Sequence, residues 1–232
     1  MKHIQHILVL FLLAVAPFST AQTAAPATAR AAKQHNFARW DKAISAFEQR
    51  DKEQMPPKNG IVFIGSSTIA LWKTLSKDFP DVPVINRGFG GSEIVDSTHF
   101  ADRIIFPYEP KQVFLRAGGN DIHAGKSPQR VFNDFKAFVA KVHEKLPQTE
   151  VVYIAQCPAP VRWEERDKVK DLNDLVQAWV KDQTLVKYCE TYDMTVTADG
   201  KPREDLFVQD RLHFNEEGYR VFAERIRPFL KQ

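Results

Sequence analysis

This sequence predicts an α/β protein built on a five-stranded parallel sheet with helices on both faces. Five short apolar runs, rich in β-branched and aromatic residues, alternate with longer segments whose apolar residues recur every three to four positions. That spacing fits right-handed crossovers between parallel strands. About 195 residues follow the amino-terminal region, enough for one well-filled core and short for two.

Lys2, the uncharged run Ile7 to Phe18 and the small residues Ser19-Thr20-Ala21 have the order of a secretory signal over residues 1–21, too short to remain as a membrane anchor. No cysteine follows the run, so a lipid anchor is not expected, and no other run could cross a membrane. The mature protein is expected to be exported, periplasmic or extracellular. Residues 22–35, rich in alanine and threonine, read as a flexible leader before a domain over 36–232.

Phe37, Trp40, Ile44 and Phe47 form the apolar stripe of a first helix, closed by Pro56-Pro57. Strands are expected at Gly60–Ile64, Val82–Asn86, Gln112–Ala117, Glu150–Gln156 and Leu185–Cys189. A helix through about Phe106 follows the loop Arg87-Gly88-Phe89-Gly90-Gly91-Ser92. Ser127 and Pro128 open another as cap and first-turn proline, with Val131, Phe135, Phe138, Val142 and Leu146 on its buried face. Leu172, Leu175, Val176, Trp179 and Val180 mark the helix before strand five, and Asn215 caps a last helix ending at Pro228.

The balance of 32 basic and 29 acidic residues becomes 31 and 29 once residues 1–21 are removed. Near-neutral charge gives no footprint for nucleic acid. Cys157 and Cys189 are the only cysteines. Both fall at ends of parallel strands, where a direct bridge has poor geometry, and two unbridged small residues are expected.

In a doubly wound sheet, ligands bind beyond the carboxyl ends of the strands. Ser66-Ser67, the Gly88 to Ser92 loop, Gly118-Gly119-Asn120-Asp121 and Cys157 to Trp163 all lie there. A serine in the first turn of a helix sits beside unpaired N–H groups, which suits a nucleophile, although the same turn also serves as an ordinary cap. Asp210-Arg211-Leu212-His213 puts a carboxylate three residues before an imidazole. One loop can then hold a general base and the acid that orients it. The glycine-rich loop leaves N–H groups uncovered for a developing oxyanion, and Asn120 offers an uncharged amide donor.

Gly65-x-Ser67, the glycine-rich loop after strand two, Gly118-x-Asn120-Asp121 after strand three and a late Asp-x-x-His resemble the SGNH, or GDSL, hydrolase superfamily, in particular bacterial proteins similar to platelet-activating factor acetylhydrolase. The resemblance covers roughly residues 58–231. It implies a three-layer α/β/α flavodoxin-like fold, Ser67 as nucleophile, His213 as base and Asp210 as its partner. It further implies an oxyanion hole from the N–H groups of Ser67 and Gly91 and the side chain of Asn120. The family's aspartate before the nucleophile is Ser66 here, and Gly91 is preferred over Gly90 for its place five residues after Asn86.

Competing motifs fit less well. The Gly-x-Ser-x-Gly elbow would need glycine where Ile69 stands. A phosphate loop at Gly125-Lys126-Ser127 has its first glycine, Gly119, one residue too far away, and Pro128 lacks an N–H. Glu93 replaces the third glycine of a dinucleotide fingerprint. Asp96, His99 and Asp102 have helical spacing and read as a solvated face rather than metal ligands. Arg116, inside an apolar strand, should pair with an acid or reach the strand end. His123 and His143 receive no role. Arg162 and Trp163 are expected to line a substrate cleft.

The expectation is a secreted serine esterase acting on short acyl esters, acetyl above all, through an acyl-enzyme, without metal or cofactor. Its substrate would be a small-molecule, glycan or lipid ester. The alternatives are a non-catalytic exported module binding glycan or protein on the same fold, or a lysophospholipase or thioesterase. Oligomeric state is not legible.

Overall fold

Side chains along β1 (Ile61–Gly65) divide by parity: Val62 and Ile64 enter one core, Ile61 and Phe63 another. Both faces of this strand are therefore covered, which explains why it reads as a continuous apolar run. A computed structural model of the chain describes residues 35–231. The expected signal at 1–21 and the expected leader, except His35, lie outside the described residues.

β1 is joined by β2 (Val84–Gly88), β3 (Gln112–Arg116), β4 (Glu150–Ile154) and β5 (Val186–Cys189). All pairings are parallel, in the order β2-β1-β3-β4-β5. The order reverses between β1 and β3, so a crevice opens beyond their carboxyl ends.

The helices, in chain order, are α1 (Asp41–Glu53), α2 (Ser67–Ala70), α3 (Leu75–Asp78), α4 (Ile94–His99), α5 (Ala101–Ile104), α6 (Gly119–His123), α7 (Pro128–Lys145), α8 (Arg166–Val180) and α9 (Glu216–Ile226). Apolar residues of α1, α4, α5, α7 and α8 share the core of Val62 and Ile64. Those of α2, α3 and α9 share the core of Ile61 and Phe63. The result is a three-layer α/β/α sandwich of flavodoxin-like order, as expected. Ser127 accepts the Arg130 N–H at 3.2 Å and Asn215 that of Gly218 at 2.9 Å, the two caps read from the sequence.

Local departures have identifiable causes. β2 starts at Val84 rather than Val82 because Pro83 has no N–H for the ladder, and it runs on through the polar Arg87. Arg87 is accommodated by a buried ion pair with Asp51 at 2.5 Å and a bond to the Tyr108 hydroxyl at 2.8 Å. The single helix expected up to Phe106 is broken at Phe100, which turns into the core edge-on to Phe89. β4 leaves the ladder before Gln156, whose N–H goes to Asn173 at 2.9 Å. α9 stops at Ile226, and Pro228 belongs to a following 3₁₀ turn.

The Asp96, His99, Asp102 stripe is not one solvated face. Asp96 is fully buried and caps its own helix by accepting the Glu93 N–H, His99 stacks on Phe37, and Asp102 holds Lys141. Among the described residues no cluster could hold a metal ion, and no helix is long and apolar enough to cross a membrane. Cys157 and Cys189 are both free.

Candidate active site

The chain leaves β1 through Gly65 at φ +142°, where a Cβ would lie 2.1 Å from the Arg116 carbonyl oxygen. Only glycine permits that turn. Ser66 follows, its N–H bonded to Arg116 O at 3.1 Å, and its carbonyl begins α2. Ser67 is the first residue of α2, so its own N–H has no partner within the helix.

Two contacts that the sequence did not disclose hold this turn. Asn86 donates to Ile69 O at 2.6 Å, and the Tyr219 hydroxyl donates to Thr68 O at 2.9 Å. Gly88 is required for the same reason, since a Cβ there would come within 2.3 Å of Ala70 N. The short helix is thus clamped between β2 and α9.

Asp210 and His213 lie on a small hairpin pinned by the antiparallel bridge of Phe207 with Phe214. The Asp210 carboxylate accepts the His213 N–H at 2.9 Å and the Leu212 N–H at 2.8 Å, while its second oxygen meets His213 Nδ1 at 2.7 Å. These bonds, the His213 backbone N–H foremost, hold its pKa down to about 2. A fixed carboxylate on Nδ1 leaves Nε2 as the nitrogen free to take a proton.

Ser67, Gly90, Gly91, Asn120, Arg162 and His213 line one open cleft of about 480 Å³. Gly91 has φ +76°, and Arg39 donates to its carbonyl at 3.0 Å, fixing the loop from α1's side. Asn120, at the start of α6, gives one amide hydrogen to Ser92 O at 3.0 Å and accepts Arg162 at 3.1 Å. Its amide is therefore oriented from both ends, with the second hydrogen left over.

Of the sequence candidates, Ser67, Gly91, Asn120, His213 and Arg162 come together at the cleft, with Asp210 behind His213. Ser66 does not line this cleft but a smaller inner space beside it. Trp163 lines neither space; its ring lies under Arg166. Arg116 does reach the strand end, but meets Gln156 and Cys157 rather than an acid. His123 bonds Glu165 at 2.7 Å and His143 contacts Thr149 O at 3.1 Å, both away from His213.

Asp121, part of the Gly118-x-Asn120-Asp121 block, carries no role in the sequence reading but holds the site together. Fully buried, it accepts the Ile94 N–H at 3.2 Å and pairs with Lys126 at 2.8 Å, tying the Asn120 segment to α4.

No curated protein matches the chain. Among solved structures, one from Streptococcus pneumonia described as a platelet activating factor superimposes with a TM-score of 0.74 at 19% identity, over 84% of this chain and 94% of that one. A GDSL-like lipase from Bacteroides thetaiotaomicron gives 0.64 at 20% identity, over 84% and 96%. A carbohydrate esterase family 3 protein from Talaromyces cellulolyticus gives 0.57 at 16%, over 73% and 94%. At such identities the likeness is one of fold. The GDSL-like lipase/acylhydrolase family model matches residues 65–221, a span that opens at Gly65 and takes in the Asn120 segment and the His213 hairpin. The chain belongs to the GDSL-like lipase/acylhydrolase family of hydrolases.

Proposed function

We propose that this protein is a serine esterase that cleaves short-chain acyl esters through an acyl-enzyme. The observation that carries the reading is the Asp210–His213 pair at 2.7 Å, on a hairpin whose histidine shares one cleft with Ser67, Gly91 and Asn120. In the proposed reaction the Ser67 hydroxyl attacks the ester carbonyl as His213 Nε2 takes its proton. The tetrahedral oxyanion accepts the N–H groups of Ser67 and Gly91 and the free amide hydrogen of Asn120. Collapse expels the alcohol, which receives the proton from His213. Water, deprotonated by the same imidazole, then releases the acid and restores Ser67.

A small cavity of about 70 Å³, lined by Ser67 and Asn120, supports a short acyl group. Residues 1–21 serve as a secretory signal in the same proposal. Amino-terminal sequencing of the exported form should then begin near Gln22, and a retained Met1 would refute it.

A fluorophosphonate probe should label the folded protein once, at Ser67, and p-nitrophenyl acetate should be hydrolysed. Absence of both on well-folded protein would overturn the esterase reading.

Arg162 is assigned as a positioning residue for Asn120. Arg162→Ala should lower kcat about tenfold, well short of the hundredfold or more that loss of an oxyanion donor costs, and should change KM less. Arg162→Lys should recover part of the loss without a change in unfolding midpoint. An equal effect of Ala and Lys on kcat, or a change confined to KM, would remove this role.

A further inference from the structure

Arg116 is the last residue of β3, paired with Gly65 beside the nucleophile turn, and only 5% exposed. One of its terminal nitrogens meets the Gln156 side-chain oxygen and the other Cys157 Sγ at 3.0 Å. Its Nε is buried without any partner, and no carboxylate of the described residues forms an ion pair with it. A buried guanidinium without a counter-charge is unfavourable, a penalty that an anion seated on it would offset.

The residue lines the 70 Å³ cavity that also reaches Ser67 and Asn120. At about 10–15 Å³ per water-sized atom, that space holds roughly five to seven non-hydrogen atoms. Arg162 and Glu165 line it too. Glu165 is engaged by His123 at 2.7 Å and interacts with Arg162, leaving Arg116 as the cation that lacks an acid.

We infer that this inner cavity receives the acyl group and that Arg116 selects acyl groups ending in a carboxylate, so that half-esters or half-thioesters of three- and four-carbon dicarboxylic acids are the substrate class. The inference rests on the esterase reading above. Beyond the reacting carbonyl, a malonyl group adds four non-hydrogen atoms and a succinyl group five, both within what the cavity admits. A planar guanidinium whose charge no acid offsets matches a carboxylate in charge and shape. Ser67 attacks the ester carbonyl, the alcohol departs with the proton from His213, and the acyl-enzyme keeps its distal carboxylate on Arg116. Water then releases the dicarboxylate and one proton.

The test compares monophenyl succinate with phenyl butyrate, equal in acyl length and in leaving group. The wild type should prefer the succinyl ester at least tenfold in kcat/KM, and Arg116→Met should abolish or reverse that ratio while Arg116→Lys keeps part of it. A wild-type preference for butyrate, or a ratio that Arg116→Met leaves unchanged, would overturn the inference even with acetate esters hydrolysed. Should Arg116→Met fail to fold, the wild-type ratio and Arg116→Lys decide. If no ester is cleaved and the fluorophosphonate fails to label, the esterase reading has failed separately. Calorimetric titration with succinate against butyrate then decides: binding of succinate alone, weakened in Arg116→Lys and lost in Arg116→Met, supports the anion site, and equal or absent binding refutes it.

Discussion

Ser67→Ala should reduce hydrolysis of p-nitrophenyl acetate roughly ten-thousand-fold or more, while Ser66→Ala leaves most of it. The adjacent serines make this the sharpest discrimination available. Ser67 lines the cleft that holds His213, Gly91 and Asn120; Ser66 does not, and its carbonyl, not its hydroxyl, starts α2. The opposite result would reassign the nucleophile. The acid limb of the pH profile carries a companion test. A protonated imidazole cannot accept the serine proton, so activity should fall on acidification. Asp210, held to about 2 by its bonds to the hairpin N–H groups and His213, stays ionised throughout that fall. A loss appearing only near pH 2 would belong to the carboxylate and would exclude His213 as base.

The fold was legible because both faces of the sheet are covered. The central strands β1, β3 and β4 then read as near-continuous apolar runs, and the connecting helices keep their stripes. Strand ends were less so: β2 runs on through Arg87 because Asp51, thirty-six residues earlier in the chain, supplies a buried partner. Phe100 likewise breaks a helical pattern for a tertiary reason, its contact with Phe89.

The candidate site follows the same division. Ser67, Asn120 and the Asp210–His213 pair carry their signal in short local spacing. The residues that hold them act across long separations and have no motif. Asn86 and Tyr219 grip the Ser67 turn, Arg39 fixes Gly91, and Arg162 reaches Asn120 from forty-two residues away. Arg162 was placed in the cleft by its position after β4, but its partner became visible only with the fold. Trp163, one residue on, shows how little that position says by itself.

Lys126→Met should destabilise the protein by about 3–5 kcal/mol at pH 8, the cost of removing one partner from a buried ion pair, and by less at pH 5. Lys126 meets Asp121 and Glu93 at 2.8 Å and Asp134 at 3.1 Å. Burial alone would lower its pKa, but these carboxylates hold it above the usual lysine range. Asp121 is fully buried, and burial pushes its pKa up from 3.8 to about 6 although Lys126 opposes the shift. Its folded pKa is therefore raised, so its contribution to stability is fully present below pH 3.8 and is lost as pH rises through about 6. Without Lys126 only the Ile94 N–H opposes burial and the neighbouring Glu93, so the window moves further up. Protonation then relieves the variant more fully at pH 5 than at pH 8. Urea unfolding at the two pH values reads the difference; equal deficits, or a deficit under about 1 kcal/mol at pH 8, would contradict the account. Because Asp121 ties the Asn120 segment to α4 through Ile94, the same substitution should also loosen the Asn120 amide, the proposed oxyanion donor, and lower kcat at temperatures where the variant remains folded.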